Sequence, residues 1–357
     1  MSVGQWAAAR VHYYSQDRDA LVLRAVAPLL RWLEDRSVPS YFAPHWRLGP
    51  HLRIAVAPRT GSEDLLAHGV QTFVEPFLLN EPSTARIDPD ALRTVHEQLA
   101  WDEQVLEPLH PLAPDNSVHF GVEDDRSGVV GTEFAGLVRD FDVAAWKHSV
   151  DSYRLVEAGR SKFSLAFDLL ASTALIATPE RHDPVSGFGS MRMQAERLVV
   201  TASDPVRVRQ HCESLYDRLR PALIRRLRSI VDGVPDGDIA GLRWTSLIEP
   251  RRDEATALHR RGVRMPMASA DPATWGRYAE SVRASPLHMA TMGDPAQLER
   301  LSRCDWHQGY RFAVNLCYLQ LTRLGITASQ RLQVCYLLSR TATDVIGTLT
   351  SPDRVGA

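Results

Sequence analysis

Residues 40–58 concentrate side chains that can handle protons and anions. The segment SYFAPHWRLGPHLRIAVAP holds the histidines His45 and His51 and the arginines Arg47 and Arg53 around one Gly-Pro. Guanidinium groups bind carboxylates and other oxygen acceptors, and imidazole takes up or releases a proton near neutral pH. The set therefore suits an anionic or carbonyl-rich ligand.

The alternation of this segment predicts a β-hairpin with two different faces. A three-residue loop, Leu48–Pro50, pairs odd-numbered positions with odd-numbered ones and puts the apolar residues on one face. The other face then carries Tyr41, His45, Arg47, His51 and Arg53. The composition alone fits a solvated sheet face as well as a ligand-binding face.

Signatures of common cofactor and metal enzymes are absent from the sequence. There is no GxxxxGKS/T, no GxGxxG after a strand and no GxSxG, and HEQLA at 96–100 lacks the second histidine of HExxH. The four cysteines form no CxxC pair, which favours reduced thiols and a cytoplasmic location. We therefore expect no cofactor and no metal, with the chemistry carried by side chains alone.

The bulk composition indicates a globular protein with a sizeable core. The 357 residues include 44% hydrophobic and 24% charged residues, and the formal net charge is −2. This charge disfavours a generally basic nucleic-acid binder. No uninterrupted apolar run approaches the ~20 residues that span a bilayer, so we expect no membrane partner.

The elements that must position these side chains differ between the two parts of the chain. Residues 1–132 combine strand-like segments, among them GQWAAARVHYYS, the hairpin and a short strand within Val118–Val122, with helical segments. Residues 133–357 are mainly helical in pattern. We expect an α+β fold with a mainly antiparallel sheet packed against helices, and a single domain over 1–357.

The last helix has a clear predicted start. Thr327 followed by Gln330 forms a capping box, and Gly325 is placed to end the preceding helix. A core-facing stripe follows at helical spacing, comprising Leu332, Cys335, Leu338, Ala342, Val345 and Leu349. The end of the chain is therefore predicted to be a packed helical hairpin.

Several motifs together resemble a known family. YFAPHWRLGPHLRIAV is similar to FFxRYxxxGPHLRLR, the hairpin of the C-terminal elimination domain of LanB-type lantibiotic dehydratases. GFGSMRMQAE at 187–196 resembles GYxSYRSHAE, and RASPLHMATMG at 283–293 resembles SLxHMxxNRLG. The motifs occur in the family's order over nearly the whole chain. The sequence thus resembles a stand-alone member of the thiopeptide-type bacteriocin biosynthesis group, with an elimination-domain-like fold.

The departures from the family pattern concern the groups that handle glutamate. Arg53 matches the first arginine of LRLR, but the second is Ala55. His288 matches the family histidine without the following Asn-Arg, and Gln194 stands where the family segment has a histidine. The segment WDEQVLEPLHPL supplies acids but no family-type arginine. An elimination scaffold without these groups resembles the thiopeptide pyridine synthases.

The resemblance implies a reaction and its partners. Pyridine synthases join two dehydroalanines of a thiazole-containing peptide by a formal aza-[4+2] cycloaddition, and then lose water and the leader peptide to form a pyridine-centred macrocycle. The implied partner is a leader-bearing, dehydrated precursor peptide, together with other enzymes of the same pathway. No metal or redox cofactor is implied.

The resemblance and the chemistry together suggest site residues. His288 is expected to act as general acid/base or as an orienting donor, with Ser285 as a hydrogen-bond donor three residues away. Arg53, His51 and Tyr41 are expected to bind peptide carbonyls or an oxyanion. A core histidine with a helix cap, and a surface ion pair, are the alternatives without a catalytic role.

Two further segments are expected to contact the substrate. Glu103 would orient the reacting amide nitrogen and Trp101 would stack on a thiazole, although an ordinary amphipathic helix explains both. Ser190, Arg192 and Gln194 match a family segment that lines the cleft. On a strand, these three alternate residues would share one face.

The arginine-rich stretch 207–228 is a candidate for leader recognition. Leaders of this class are often acidic, and Arg218 and Arg225 are the positions that we assign to binding. A solvated helix face explains the same arginines.

Two other functions compete with cycloaddition. One is a stand-alone lyase that eliminates glutamate from glutamylated serine and threonine, against which the losses at Ala55 and after His288 count. The other is a non-catalytic scaffold that binds the precursor peptide. A dehydrated, thiazole-bearing peptide separates the three, because only the synthase closes the ring.

Overall fold

A computed structural model of the chain describes residues 5–103, 105, 107–123, 131–176, 184–233, 239–265, 280 and 283–346. The chain divides into two compact units. The first comprises Met1–Ala158 and Arg323–Gly325, and the second comprises Gly159–Thr322 and Ile326–Ala357. None of the described helices is long and apolar enough to cross a lipid bilayer.

The first unit contains a four-stranded antiparallel sheet. The strands are β1 (Ala7–His12), β2 (Ser40–His45), β3 (His51–Val56) and β4 (Ser117–Val122). Their order in the sheet is β2-β3-β1-β4, and all neighbours are antiparallel. The predicted α+β fold with an antiparallel sheet in the N-terminal part is confirmed.

Helices complete the first unit. They are α1 (Asp19–Leu21), α2 (Ala27–Glu34), α3 (Ser62–Gly69), α4 (Glu75–Asn80), α5 (Pro89–Glu103) and α6 (Thr132–Glu157). A π-helical turn lies directly before each of two helices, Val22–Val26 before α2 and Val70–Val74 before α4. Each of these two helices has a proline near its start, Pro28 or Pro76. Since proline has no backbone N–H to donate, a widened turn suits the preceding residues.

The apolar side of the sheet lies in the core of the first unit. Phe42, Ile54 and Val11 are fully buried, and helices α2 and α3 contact the strands that carry them. Leu29 and Leu33 of α2 are also fully buried. The alternation of the hairpin thus leaves its opposite, polar side for other contacts.

A buried ion pair ties Arg323 into the first unit. Its guanidinium binds the Asp142 carboxylate of α6, and its Nε donates to the Phe42 carbonyl of β2 at 3.0 Å. The Tyr153 hydroxyl donates to the Arg323 carbonyl at 2.6 Å. The side chains of the ion pair are 1% and 6% exposed, so water does not solvate them and each charge is compensated by the other.

The second unit is helical in its described residues. Its helices are α7 (Lys162–Ile176), α8 (Pro184–Val200), α9 (Pro205–Val231), α10 (Ile239–Arg260), α11 (Pro286–Met292), α12 (Pro295–Arg303), α13 (Asp305–Arg323) and α14 (Ala328–Ile346). Helix α14 packs against α8 and α9, and α7 packs against α10. The predicted helical C-terminal part is confirmed.

The predicted capping box is present at the start of α14. The Thr327 amide donates to Gln330 Oε1 at 2.9 Å, and the Gln330 amide donates to Thr327 Oγ1 at 3.3 Å. Gly325 has a φ of +79° and ends the preceding helix in the left-handed conformation that glycine adopts readily. Cys335, Leu338 and Ala342 of the predicted stripe are fully buried, whereas Leu349 lies outside the described residues.

Candidate functional site

The hairpin has the predicted faces but a longer loop. His45 pairs with His51, which leaves the five residues 46–50 between the strands, so the predicted three-residue loop is wrong. Leu48 and Gly49 both have positive φ, at 60° and 108°, and a Cβ at Gly49 would collide with the Tyr14 hydroxyl. The two additional residues preserve the odd-with-odd pairing, so the faces stay as predicted.

The polar face of the hairpin is buried. Tyr41, His51 and Arg53 are 3%, 1% and 3% exposed, whereas His45 and Arg47 are half-buried. The interpretation as a solvated sheet face is therefore wrong for Tyr41, His51 and Arg53. Their role in binding a ligand stays a prediction.

A carboxylate that sequence reasoning missed organises this face. Glu123 follows β4, and its Oε1 accepts a hydrogen bond from the Tyr41 hydroxyl at 2.6 Å and binds Arg53 at 3.0 Å. Across the sheet, only the small residues Ala55 and Ala8 separate Tyr41 from β4. The long side chains of Tyr41, Arg53 and Glu123 therefore meet above these alanines. Burial, and then the Glu123 carboxylate, raise the pKa of Tyr41, which keeps the phenol a neutral donor.

The small residue at Ala55 is part of the packing. It is fully buried and lies in one apolar cluster with Tyr41 and Ala43, against which Trp6 and Val143 also pack. An arginine at this position would place a charge among these side chains. The departure from LRLR is thus built into the packing of the first unit.

Four histidine rings cross the sheet, one from each strand. From β4 to β2 they are His119, His12, His51 and His45, with successive ring centroids 5.2, 4.7 and 5.3 Å apart. Burial lowers the pKa of His12 to about 4 and that of His51 to about 3, so both rings are neutral at pH 7. His12 is 1% exposed, and its Nδ1 has no hydrogen-bond partner among the residues that the structure describes.

Helix α5 approaches the hairpin loop. The His96 ring lies 5.2 Å from that of Trp46, and burial lowers the pKa of His96. Trp101 and Glu103 belong to the last turn of α5, but their side chains lie outside the described residues. Their predicted roles therefore stay predictions.

In the second unit, Ser285 and His288 form a buried pair. Ser285 caps α11 by accepting a hydrogen bond from the His288 amide, and its Oγ lies 2.9 Å from His288 Nδ1. The residues are 1% and 4% exposed. Burial lowers the pKa of His288, and the Glu196 carboxylate and the Met193 carbonyl act in the opposite direction. A neutral imidazole beside a hydroxyl can accept a proton from it, which is the arrangement of a general base.

The segment with Ser190, Arg192 and Gln194 is a helix and not a strand. It forms α8, so Ser190 and Gln194 share a face and Arg192 points away from it. Ser190 and Tyr310 share a hydroxyl–hydroxyl hydrogen bond, and the Tyr310 hydroxyl also bonds the Gly187 carbonyl at 2.8 Å. The shared face of all three residues was conditional on a strand, and that condition is not met, because the Met, Ala, Gln, Glu and Arg residues of this segment favour a helix.

Arg192 lines a cavity of about 580 Å³ in the second unit. Two ion pairs form part of its wall, Arg209 with Glu196 at 3.1 Å and Arg340 with Glu213 at 3.2 Å. Pro286 and Leu287, which lie between Ser285 and His288 in the chain, also line it. The cavity therefore has charged pairs in a mixed polar and apolar wall, and it lies next to the start of α11.

The arginines of α9 differ in their engagement. Arg220 binds Asp344 and Arg226 binds Asp168, each at 2.7 Å. Arg218 and Arg225 are exposed and, among the residues that the structure describes, make no ion pair. Seven residues apart, they lie on one face of the helix and leave two cations open to a partner.

The comparisons with known proteins agree with the motif pattern. The family model that matches residues 6–342 is described as lantibiotic biosynthesis dehydratase C-term. The chain belongs to this family. A search of curated proteins gave no match.

Solved structures extend the comparison of this lantibiotic dehydratase C-terminal family member. The chain is 28% identical to the pyridine synthase TbtD from thiomuracin biosynthesis, with a TM-score of 0.75 over 96% of this chain and 98% of that one. It is 19% identical to TsrL, with a TM-score of 0.69 over 96% and 95% of the chains. For the tRNA-dependent lantibiotic dehydratase MibB from Microbispora sp. 107891, identity is 15% and the TM-score is 0.51. That match spans 97% of this chain and 28% of the dehydratase. The predicted resemblance is confirmed.

The predicted site residues of this family member fall into both units. Tyr41, His51 and Arg53 lie together on the polar sheet face of the first unit. The second unit holds Ser190, Arg192, Gln194, Arg218, Arg225, Ser285 and His288. Sequence reasoning missed Glu123 and His12. The sequence signal for His12 was the alternation of the opening strand. Its even-numbered residues lie on the same face as His51, and His12 pairs with His51 directly.

Proposed function

We propose that the chain catalyses a formal aza-[4+2] cycloaddition between two dehydroalanines of a thiazole-containing precursor peptide. Water and the leader peptide are lost as the pyridine-centred macrocycle forms. The observation that carries this proposal is the similarity to a solved pyridine synthase along both whole chains, at 28% identity and a TM-score of 0.75. Such an enzyme acts in the maturation of a ribosomally made peptide.

The reaction needs positioning and proton handling from the protein. Holding the two dehydroalanines together converts their encounter into an intramolecular step, which can supply several kcal/mol of the barrier. One dehydroalanine must react as its imino-enol tautomer, and a donor at the amide carbonyl assists that proton shift. We assign this proton handling to the Ser285–His288 pair, whose atoms Oγ and Nδ1 are 2.9 Å apart.

The polar sheet face supports cycloaddition over glutamate elimination. A lyase needs a cationic site for the departing glutamate carboxylate, whereas Arg53 is already bound to the Glu123 carboxylate inside the protein. The second arginine of the family hairpin is replaced by the buried Ala55. We assign Arg53, His51 and Tyr41 to binding the neutral peptide backbone, and Glu103 and Trp101 to the reacting amide and a thiazole.

The exposed arginines of α9 support recognition of an acidic leader. We assign leader binding to Arg218 and Arg225, because both cations are exposed on one helix face. Replacing both by glutamate should weaken binding of a fluorescent leader peptide more than tenfold and reduce its salt dependence. Arg303→Glu on α12 is the matched control, since Arg303 is 74% exposed and paired with Glu299. Equal losses in both variants would refute the assignment.

The proposed reaction is tested by mass spectrometry on purified protein without added cofactor. The substrate is a leader-bearing peptide with thiazoles and two dehydroalanines. We expect release of the leader as its amide and a ring product lighter by that leader and one water. Ser285→Ala and His288→Ala should slow this conversion, with unchanged leader affinity.

Two other results would redirect the assignment. An unchanged dehydrated peptide, together with loss of glutamate from a glutamylated peptide, would identify a lyase. Binding of both peptides without conversion of either would identify a scaffold. Either result contradicts the cycloaddition.

A further inference from the structure

The histidine row, defined as His119, His12, His51 and His45, crosses the whole sheet of the first unit. We propose that this row conducts protons between His51, on the polar sheet face, and solvent at the β4 edge. The inference rests on the proposed function and extends it, because it names the route by which His51, which we assign to the peptide backbone, exchanges protons with water while a peptide covers this face.

The sheet register places the rings in sequence. His12 is directly opposite His51 on the neighbouring strand, and His45 is opposite His51 on the other side. His119 is opposite Arg10, and its ring still lies 5.2 Å from that of His12. The ring centroids of neighbours are close enough for one water to bridge their nitrogens, and such a water would also give the buried His12 Nδ1 a hydrogen-bond partner.

Exposure to solvent decreases from His119 at the β4 end to the inner rings, as a proton route from solvent requires. His119 is exposed, and it shares a hydrogen bond with the Ser117 hydroxyl at 3.0 Å. His12 and His51 are both 1% exposed. The outer ring therefore meets bulk water, and the two inner rings are sheltered from it.

Packing alone does not account for His12. A phenylalanine would fill the same space without an imidazole to desolvate, yet within the described part of the chain the buried Nδ1 of His12 has no hydrogen-bond partner. Each ring neighbours the next across the strands. Among the described residues, no group of three or more His, Cys, Asp or Glu side chains is placed to hold a metal ion.

The charges around the row keep its inner members neutral. Burial is the largest cause of the lowered pKa of His12, followed by His119 and Arg10, while Asp115 acts in the opposite direction. His51 is affected by burial, by His12, by Arg53 and by Arg10, with the Gly49 carbonyl opposing them. A pKa of about 4 leaves roughly one His12 ring in a thousand protonated at pH 7.

A neutral, transiently protonated imidazole is suited to relay a proton. A proton from water binds one nitrogen of His119, and the proton on its other nitrogen passes to His12. The same exchange repeats between His12 and His51. His119 and His12 each gain one proton and release one, which leaves their remaining proton on the other nitrogen, and His51 holds the incoming proton. Return of a proton from His51 along the row to water restores the starting tautomers, so the net result is the exchange of one proton with water.

The experiment measures exchange of the His51 ring N–H with water by NMR on protein labelled with 15N-histidine. His12→Phe keeps the aromatic packing but cannot carry a proton, and His119→Gln changes an exposed end. We expect each to slow His51 exchange at least tenfold at pH 7. His68→Gln on α3, exposed and outside the histidine row, is the matched control and should leave exchange unchanged.

The outcomes separate this proposal from the proposed function. Unchanged exchange in His119→Gln would overturn the relay even if the protein forms the pyridine ring. Slowed exchange in both variants supports the relay even if no ring forms, because the readout does not require substrate. His119→Gln keeps the test decisive if His12→Phe fails to fold, since His119 is exposed.

Discussion

Acid should destabilise the first unit through the two inner histidines. Burial, the largest cause, lowers the pKa of His12 to about 4 and that of His51 to about 3, from 6.5 in the unfolded chain. As the pH falls below 6.5, the unfolded state binds protons that the folded state refuses, so stability is lost with falling pH. The loss continues to about pH 4 for His12 and about pH 3 for His51.

The magnitude follows from the two shifts. Each group contributes a limiting slope of about 1.4 kcal/mol per pH unit. At pH 5, each has therefore removed about 2 kcal/mol, and both together about 4 kcal/mol. This is a large part of the 5–15 kcal/mol that typically separates folded from unfolded states.

Hydrogen exchange of backbone amides, followed by mass spectrometry, measures this loss in the sheet itself. The free energy of opening is compared between wild type and His12→Phe for peptides that cover β1 and β3, at matched pH so that intrinsic exchange cancels. Between pH 6 and pH 5, the free energy of opening should decrease less steeply with falling pH in His12→Phe than in wild type, by about 1 kcal/mol per pH unit. His68→Gln should leave the slope unchanged. Identical slopes in wild type and His12→Phe would refute the reasoning.

Three further tests address the apolar cluster at Ala55, the buried ion pair and the Ser285–His288 pair. Ala55→Arg places an unpaired charge in the apolar cluster and should cost about 3–5 kcal/mol, so an unchanged thermal midpoint would contradict the closed packing. Asp142→Asn should cost about as much by leaving the Arg323 guanidinium without its carboxylate, whereas the double variant Asp142→Leu, Arg323→Met should regain much of the loss in urea denaturation. Ser285→Ala removes the cap of α11 and should cost about 0.5–2 kcal/mol, while Ser285→Thr retains the oxygen and should keep both stability and ring formation.

Local sequence periodicity was enough to predict the faces of the hairpin. A period of two determines which side chains share a face, and it holds for Tyr41, His51 and Arg53. The loop length depended on Leu48 adopting a left-handed conformation, which the alternation of polar and apolar residues does not encode. The relation between Ser285 and His288 was predictable because it spans only three residues.

Long-range partners were not predictable from the chain. The Glu123 carboxylate meets Tyr41 across 82 residues of sequence, and its register depends on how β4 joins the sheet. Nothing near Glu123 in the sequence distinguishes it from other acids of that region. The secondary structure around Ser190 was left open because the resemblance of a motif carries no secondary structure with it, whereas the helix propensity of its residues does.

The bond between Arg323 and Asp142 also has a consequence for synthesis on the ribosome. The two residues are separated by 181 positions, so most of the chain must be made before Asp142 meets its counter-charge. At 5–20 residues per second, that interval is about 10–40 s. During it, the carboxylate of Asp142 in the nascent N-terminal unit lacks its counter-charge and must stay in contact with water. We therefore expect this unit to reach its native protease resistance only after the C-terminal helices emerge.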